Sequence, residues 1–148
     1  MALAERRAEV TWEGNLFQGK GTFDVGSGAM TEQAVTWASR TERSDGKTSP
    51  EELIAAAHAS CFSMAFSNGL DKRGTPPERL RVEAVCTLDR VDGKLKVTTM
   101  RLRVRGQVPG ISEEDFRAAA EEAKEGCPVS GALRGNVEMT VEAELEQE

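Results

Sequence analysis

Ser49–Leu70 reads SPEELIAAAHASCFSMAFSNGL. Ser49 suits a helix N-cap, Pro50 the first helical position and Glu52 the third position of a capping box, so the spacing predicts a helix beginning here. It runs to about Lys72, with almost no charge between Glu52 and Asp71, and it ends near Gly74 and the Pro76-Pro77 pair. Leu53, Ile54, Ala57, Cys61, Phe62, Ala65, Phe66 and Leu70 cover more than one stripe of this helix. A helix that is apolar on most sides is expected to be buried on most sides.

On the C-terminal side, Leu80, Val82, Ala84, Cys86 and Leu88 alternate with Arg81, Glu83, Val85, Thr87 and Asp89, and Asp92-Gly93 then signals a two-residue hairpin turn. The return strand changes phase. Leu95 and Val97 share one parity while Met100, Leu102 and Val104 share the other, which requires a bulge near Thr98-Thr99 and turns Arg101, Arg103 and Arg105 to solvent. A second helix opens at Ser112 and is stopped by Gly126; Pro128 starts a short third helix to Leu133, and residues 136 to 145 alternate as a last strand.

On the N-terminal side, AEVTW and LFQGKGTFDV flank Glu13-Gly14-Asn15 as a hairpin over residues 8 to 24. Met30 to Ala38 reads as another strand, and the polar run SRTERSDGKTS that follows as an exposed or site-forming loop. The pattern predicts an α+β fold in one domain, residues 1–148.

Composition narrows the function classes. Charged residues make up 30% of the 148 and the net charge is -6, with basic residues scattered among acidic ones, so no nucleic-acid partner is expected. No apolar run approaches the roughly 18 residues of a membrane span, and no membrane partner is expected. The opening MALAERRAEV lacks the pattern of a secretory signal, which leads to the expectation of a cytoplasmic protein. Three cysteines and one histidine in no zinc-ligand or CxxC spacing leave reactive thiol chemistry open.

Each candidate has an ordinary reading beside the chemical one. Cys61, in the middle of an uncharged helix, reads equally as a small buried hydrophobe. Cys127 stands between Gly126 and Pro128 where one helix ends and the next begins, and backbone N–H groups there favour an accessible thiolate. Cys86 falls on the apolar parity of its strand and reads as a packed thiol. His58 shares a helix face with Cys61, as a nucleophile's base or, more simply, as a packing or hydrogen-bonding residue. Glu52 is fully explained by capping, whereas Glu51 has spare capacity. Arg40 and Arg43 are solvated charges unless one of them lies beside a cysteine and holds it as thiolate; Arg40, closer to the apolar strand, is the better placed to point inward.

SPEELIAAAHASCFSMAFS around Cys61 and GCPVSGAL around Cys127, in this order and with suitable elements between, resemble the two hallmark segments of the OsmC/Ohr family of hydroperoxide-reducing proteins. The resemblance covers nearly the whole chain and lies closer to the OsmC branch than to the organic hydroperoxide resistance branch. It implies an OsmC-like fold with antiparallel sheets, a long buried central helix and an intertwined homodimer with sites at the subunit interface. The family's attacking cysteine falls on Cys61, its resolving cysteine on Cys127, its helix-start glutamate on Glu51, and its activating arginine on Arg40, with Arg43 as the alternative.

By the same resemblance, an organic hydroperoxide would be reduced, and hydrogen peroxide more weakly. Cys61 would pass through a sulfenic acid and a Cys61–Cys127 disulfide that a small or protein-bound dithiol reopens, with no cofactor. Glu51 and Cys61 stand ten residues apart, about 15 Å along one helix axis, so a shared site calls for a second subunit. Two other readings predict different behaviour: a dimeric redox or stress-response protein would consume peroxide only stoichiometrically, and a Cys61/His58 hydrolase would cleave esters without a disulfide.

Overall fold

The computed structural model describes residues 1–146, which gather into two compact units, Met1–Leu53 and Ile54 onward. In the first unit, β1 (Ala8–Glu13), β2 (Lys20–Val25) and β3 (Gln33–Val35) form an antiparallel sheet in sequence order. The expected hairpin is present, but its connection is longer than a tight turn at Glu13-Gly14-Asn15. Asn15 winds the chain into a turn by accepting the Gln18 N–H on Oδ1 at 2.8 Å and the Gly19 N–H on its carbonyl at 2.9 Å. Leu16 and Phe17 therefore lie outside the strand and are exposed.

The strand expected as far as Ala38 stops at Val35. Thr36 caps a short helix, α1 (Trp37–Thr41), in which the Thr36 and Ser39 hydroxyls accept from each other's backbone N–H at 3.0 and 2.9 Å. Two reciprocal caps outweigh the strand preference of Val35-Thr36-Trp37 in so short a segment.

The long helix, α2 (Pro50–Lys72), begins where the sequence places it. Ser49 Oγ accepts the Glu52 N–H at 3.1 Å, while the Glu52 carboxylate accepts the Thr48 hydroxyl at 2.8 Å rather than reaching back to the cap. Gly74, at φ 85°, and the Thr75 N–H, donating to Leu70 O at 3.0 Å, close its far end.

In the second unit, β4 (Arg79–Val91) and β5 (Lys94–Gln107) pair antiparallel through Asp92 and Gly93, at φ 51° and 76°, the left-handed pair a type I′ turn demands. Thr87 pairs with Thr99 but Leu88 with Val97, so Thr98 is the extra residue of the expected bulge. Beyond it Met100, Leu102 and Val104 are buried, and Arg101, Arg103 and Arg105 are exposed.

The chain continues through α3 (Glu113–Gly126) and α4 (Pro128–Leu133) into β6 (Glu138–Leu145). Ser112 caps α3 by accepting the Asp115 N–H at 3.1 Å. β6 runs parallel to β5, which corrects the expectation of purely antiparallel sheets for this one pair. The helical crossover through α3 and α4 carries the chain from the end at which β5 finishes back toward the end at which it starts, and a strand laid down from there is parallel to its neighbour.

The core of this unit joins Phe62, Phe66 and Leu70 of α2, Leu102 and Val104 of β5, and Phe116, Ala119, Ala120 and Ala123 of α3. The Phe66 ring packs on Phe62 and Phe116 at centroid distances of 5.5 and 5.0 Å. Gly106 of β5 admits the Phe116 ring, since a Cβ there would stand 2.8 Å from its edge.

Within the single chain α2 is buried along one stripe, His58, Phe62, Phe66 and Leu70, and the sequence expectation of burial on most sides is met only there. Ala57, Ser60, Met64 and Asn68 form an exposed stripe. By length and composition α2 could cross a membrane, a stronger apolar signal than the uninterrupted-run criterion registered. Its fully buried phenylalanines nonetheless pack as a core helix does.

Candidate active site

The four residues singled out from the sequence come together two by two. In the first unit, Arg40 on α1 donates from Nε to Glu51 Oε1 at 3.0 Å and from Nη2 to Oε2 at 2.9 Å, a bidentate pair on a carboxylate that is 7% exposed. Its placement follows from local sequence. The Ser39 hydroxyl donates to Thr48 O at 3.0 Å, and the Thr48 N–H donates to Ala34 O at 3.3 Å, tying the loop between α1 and α2 back onto the sheet. Asp45 and Gly46, at φ 45° and 79°, supply the reversal. Arg43, the alternative arginine, is an exposed side chain 3.9 Å from Asp45. Arg40 is therefore the arginine on Glu51.

In the second unit, Cys61 of α2 and Cys127 are reduced thiols in hydrogen-bonding contact. Cys127 is both the C-cap of α3, donating its N–H to Ala123 O at 3.0 Å, and the N-cap of α4, accepting the Gly131 N–H on its carbonyl at 3.0 Å. Pro128 after it cannot continue α3 and suits the first position of α4. The thiol is pinned at a kink between two helices. It is 1% exposed, which corrects the expectation of an accessible cysteine; Cys61 is only half-buried.

The two sulfurs are not equivalent. Burial pushes the Cys61 thiol up, and donating its proton to Cys127 raises it further; only the Val129 N–H opposes this. Burial pushes Cys127 up too, but donation from the Cys61 thiol, from the Ser130 N–H and hydroxyl, and from the Val129 N–H outweighs it and leaves Cys127 below the usual thiol range. The Cys127 side chain makes no full cap hydrogen bond to α4. In the single chain these donors favour negative charge on Cys127 over Cys61.

Sequence reading missed Ser130. It is fully buried, lies in the first turn of α4, and its Oγ is 2.8 Å from His58 Nε2. The signal was its spacing, three residues after Cys127, where a helix start turns a side chain back toward the cap. His58, expected as a base or as a packing and hydrogen-bonding residue, takes the second role: it is fully buried and bonded to Ser130, and burial lowers its pKa, keeping the imidazole neutral. Of the apolar residues near Cys61, Phe62 and Phe66 are core and Met64 is exposed, while Cys86 lies half-buried on β4.

The comparisons agree with the hallmark segments. Residues 43–142 match the family model described as OsmC-like protein. The chain is 39% identical over 132 residues to Peroxiredoxin OsmC of Escherichia coli (strain K12), covering 89% of this chain and 92% of that one. It is 34% identical over 117 residues to organic hydroperoxide resistance protein OhrA of Bacillus subtilis (strain 168), covering 74% and 76%. The solved structure of OhrB of Bacillus subtilis superposes with a TM-score of 0.72 at 26% identity, over 95% of this chain and 98% of that one. An OsmC structure from Legionella pneumophila reaches a TM-score of 0.74 at 24% identity, over 97% and 99%, and speaks to the fold alone. With both cysteine segments inside the matched region and the higher of the two identities on the OsmC side, the chain belongs to the OsmC-like family.

Proposed function

We propose that the protein is a cysteine-based peroxidase, a homodimer that reduces organic hydroperoxides to alcohols in the cytoplasm. The observation that carries this reading is the contact between Cys61 and Cys127, two reduced thiols on separate elements of a chain whose relatives are named peroxiredoxin and organic hydroperoxide resistance protein.

The resting proton on Cys61 sets a requirement. A thiolate is the nucleophile, so Cys61 must lose that proton, and a cation beside it favours the loss. The bidentate Arg40–Glu51 pair engages Nε and Nη2 and presents a held guanidinium. In the proposed dimer the α2 helices pack along the exposed stripe through Ala57 and Met64, and Arg40 with Glu51 of one subunit reaches Cys61 of the other.

The Cys61 thiolate attacks the terminal oxygen of the hydroperoxide. The O–O bond breaks, the S–O bond of a sulfenic acid forms, and the alkoxide leaves and takes a proton to become the alcohol. Cys127 then attacks the Cys61 sulfur, water departs, and a disulfide forms. A dithiol reopens it by exchange, which restores both thiols and oxidises the donor.

The test is consumption of cumene hydroperoxide and hydrogen peroxide with excess dithiol, by wild type and Cys61→Ser in parallel. Catalytic loss that requires Cys61 and is faster with the organic substrate is expected; equal rates in the two proteins would overturn the reading. The upward push of burial on the Cys61 thiol in the single chain favours one other reading, a redox or stress-response protein without turnover, for which peroxide loss would stop at one equivalent per site. His58 bonds Ser130 through Nε2, which leaves the hydrolase reading without a base on Cys61.

A further inference from the structure

Ser130 and His58 are fully buried polar residues that the proposed chemistry does not use. Burying a hydroxyl and an imidazole in an apolar core costs stability unless their hydrogen bonds are made, and one here is not: His58 Nδ1 is buried without a partner among the described residues. The arrangement has one economical solution. A bare ring lone pair is easier to leave unpaired than an N–H, which assigns the proton to Nε2 and makes it the donor to Ser130 Oγ at 2.8 Å. Ser130 then has its own proton to give, and in the first turn of α4, three residues after the N-cap Cys127, its hydroxyl acts on the Cys127 sulfur to favour negative charge there. Donation runs in one direction, from His58 to Ser130 to Cys127.

We infer that Ser130, oriented by His58, is a positioning residue that keeps Cys127 the nucleophile of the disulfide-forming step. The inference rests on the peroxidase reading for its place in the reaction. Once Cys61 carries an oxygen its S–H no longer donates to Cys127, and the Ser130 hydroxyl remains the side-chain donor holding negative charge on that sulfur. The charged and titratable groups around Cys127 leave this task to Ser130. Cys61 and His58 approach from α2, Lys124 of α3 is engaged by Glu121 and Glu125 at 3.0 and 3.8 Å, and Arg134, after α4, is held by the Glu125 carbonyl at 2.8 Å.

A Cys61→Ser, Cys86→Ser background leaves Cys127 the sole thiol of the chain, and ultraviolet thiolate absorbance then titrates it without any peroxide. Ser130→Ala is expected to raise the titration midpoint by about 1, which lowers the thiolate fraction about tenfold at pH values below it, and Ser130→Thr to restore it. In the chain with all its cysteines, disulfide formation after one equivalent of cumene hydroperoxide is followed by quenched flow. A less acidic thiol is intrinsically more nucleophilic, which offsets about half of the tenfold loss on a logarithmic scale. Ser130→Ala should therefore be about threefold slower than wild type below the midpoint and faster above it, so that the two pH profiles cross. A purely structural role would slow the step at every pH. An unmoved thiolate midpoint in both Ser130→Ala and His58→Asn overturns the inference whatever the peroxide result. Failure of wild-type Cys61 to be oxidised would strike the peroxidase reading instead, with the titration still deciding the role of Ser130.

Discussion

The Arg40–Glu51 pair and the Cys61–Cys127 pair solve opposite electrostatic problems. Arg40 and Glu51 are full charges held by two short, parallel hydrogen bonds, with a loop tied down at Thr48 to fix their geometry. Cys61 and Cys127 are two interacting thiols in surroundings that burial makes hostile to charge, and negative charge is favoured on the sulfur with more donors. The first pair has a charge that does not move; the second has a charge whose location can be switched. In the proposed reaction a fixed cation brought to the two thiols would decide which sulfur attacks first, and the donors on Cys127 which attacks second.

This contrast can be broken experimentally, beginning with the fixed cation. Removing one preorganised charge from a transition state costs roughly 100- to 1,000-fold in rate, and that loss is expected for Arg40→Ala in hydroperoxide consumption, with Arg43→Ala unchanged. The two kinds of damage should also complement each other. When Cys61→Ser and Arg40→Ala subunits associate at random, half of the dimers are mixed and one of their two sites regains both groups, so about a quarter of wild-type activity should return. Inactivity of the mixture would place the whole site within one subunit.

The neutral side of the contrast is tested by acid. His58 is the chain's only histidine and is buried with its pKa lowered, so between pH 7 and 5.5 the unfolded chain takes up a proton that the folded chain does not. Stability is then lost as pH falls through the ordinary histidine value of about 6.5, by up to about 1.4 kcal/mol per pH unit, until the folded His58 also protonates. Urea unfolding at the two pH values should show this slope in wild type and a flatter one in His58→Asn. The smallest effect concerns the helix that carries both Glu51 and Cys61. Ser49→Ala removes its N-cap and should cost about 1 kcal/mol in the same assay.

Much of this was legible in the sequence because the deciding signals are local. Ser49-Pro50-Glu51-Glu52 marks a helix start, Asp92-Gly93 a type I′ turn, and the parity change between Val97 and Met100 a bulge, each within a few residues. The parallel course of β6 was not legible, since alternation at 136 to 145 is the same for either direction and only the crossover through α3 and α4 decides it. Helix α1 was hidden because five residues show no periodicity, although Thr36 and Ser39 carry the capping pair. Residue types and segments singled out Cys61, Cys127, Glu51 and Arg40 as candidates, but the Ser130–His58 bond spans 72 residues of sequence and has no local signature. The exposed stripe of α2 shows a related limit: hydrophobicity says that a face wants cover, and within the single chain only the stripe from His58 to Leu70 has it.

The bulge at Thr98 divides β5 in a second way. From Thr99 to Gly106 the strand is central, paired with β4 on one side and β6 on the other, whereas among the described residues Lys94 to Val97 pairs with β4 alone. A two-stranded ribbon is marginal by itself, so its backbone amides should trade their protons with solvent through brief local openings, while those of the three-stranded part wait for rarer opening of the whole sheet. Thr98 thus marks a boundary in time as well as in register, where exchange along a single continuous strand slows from fast to protected.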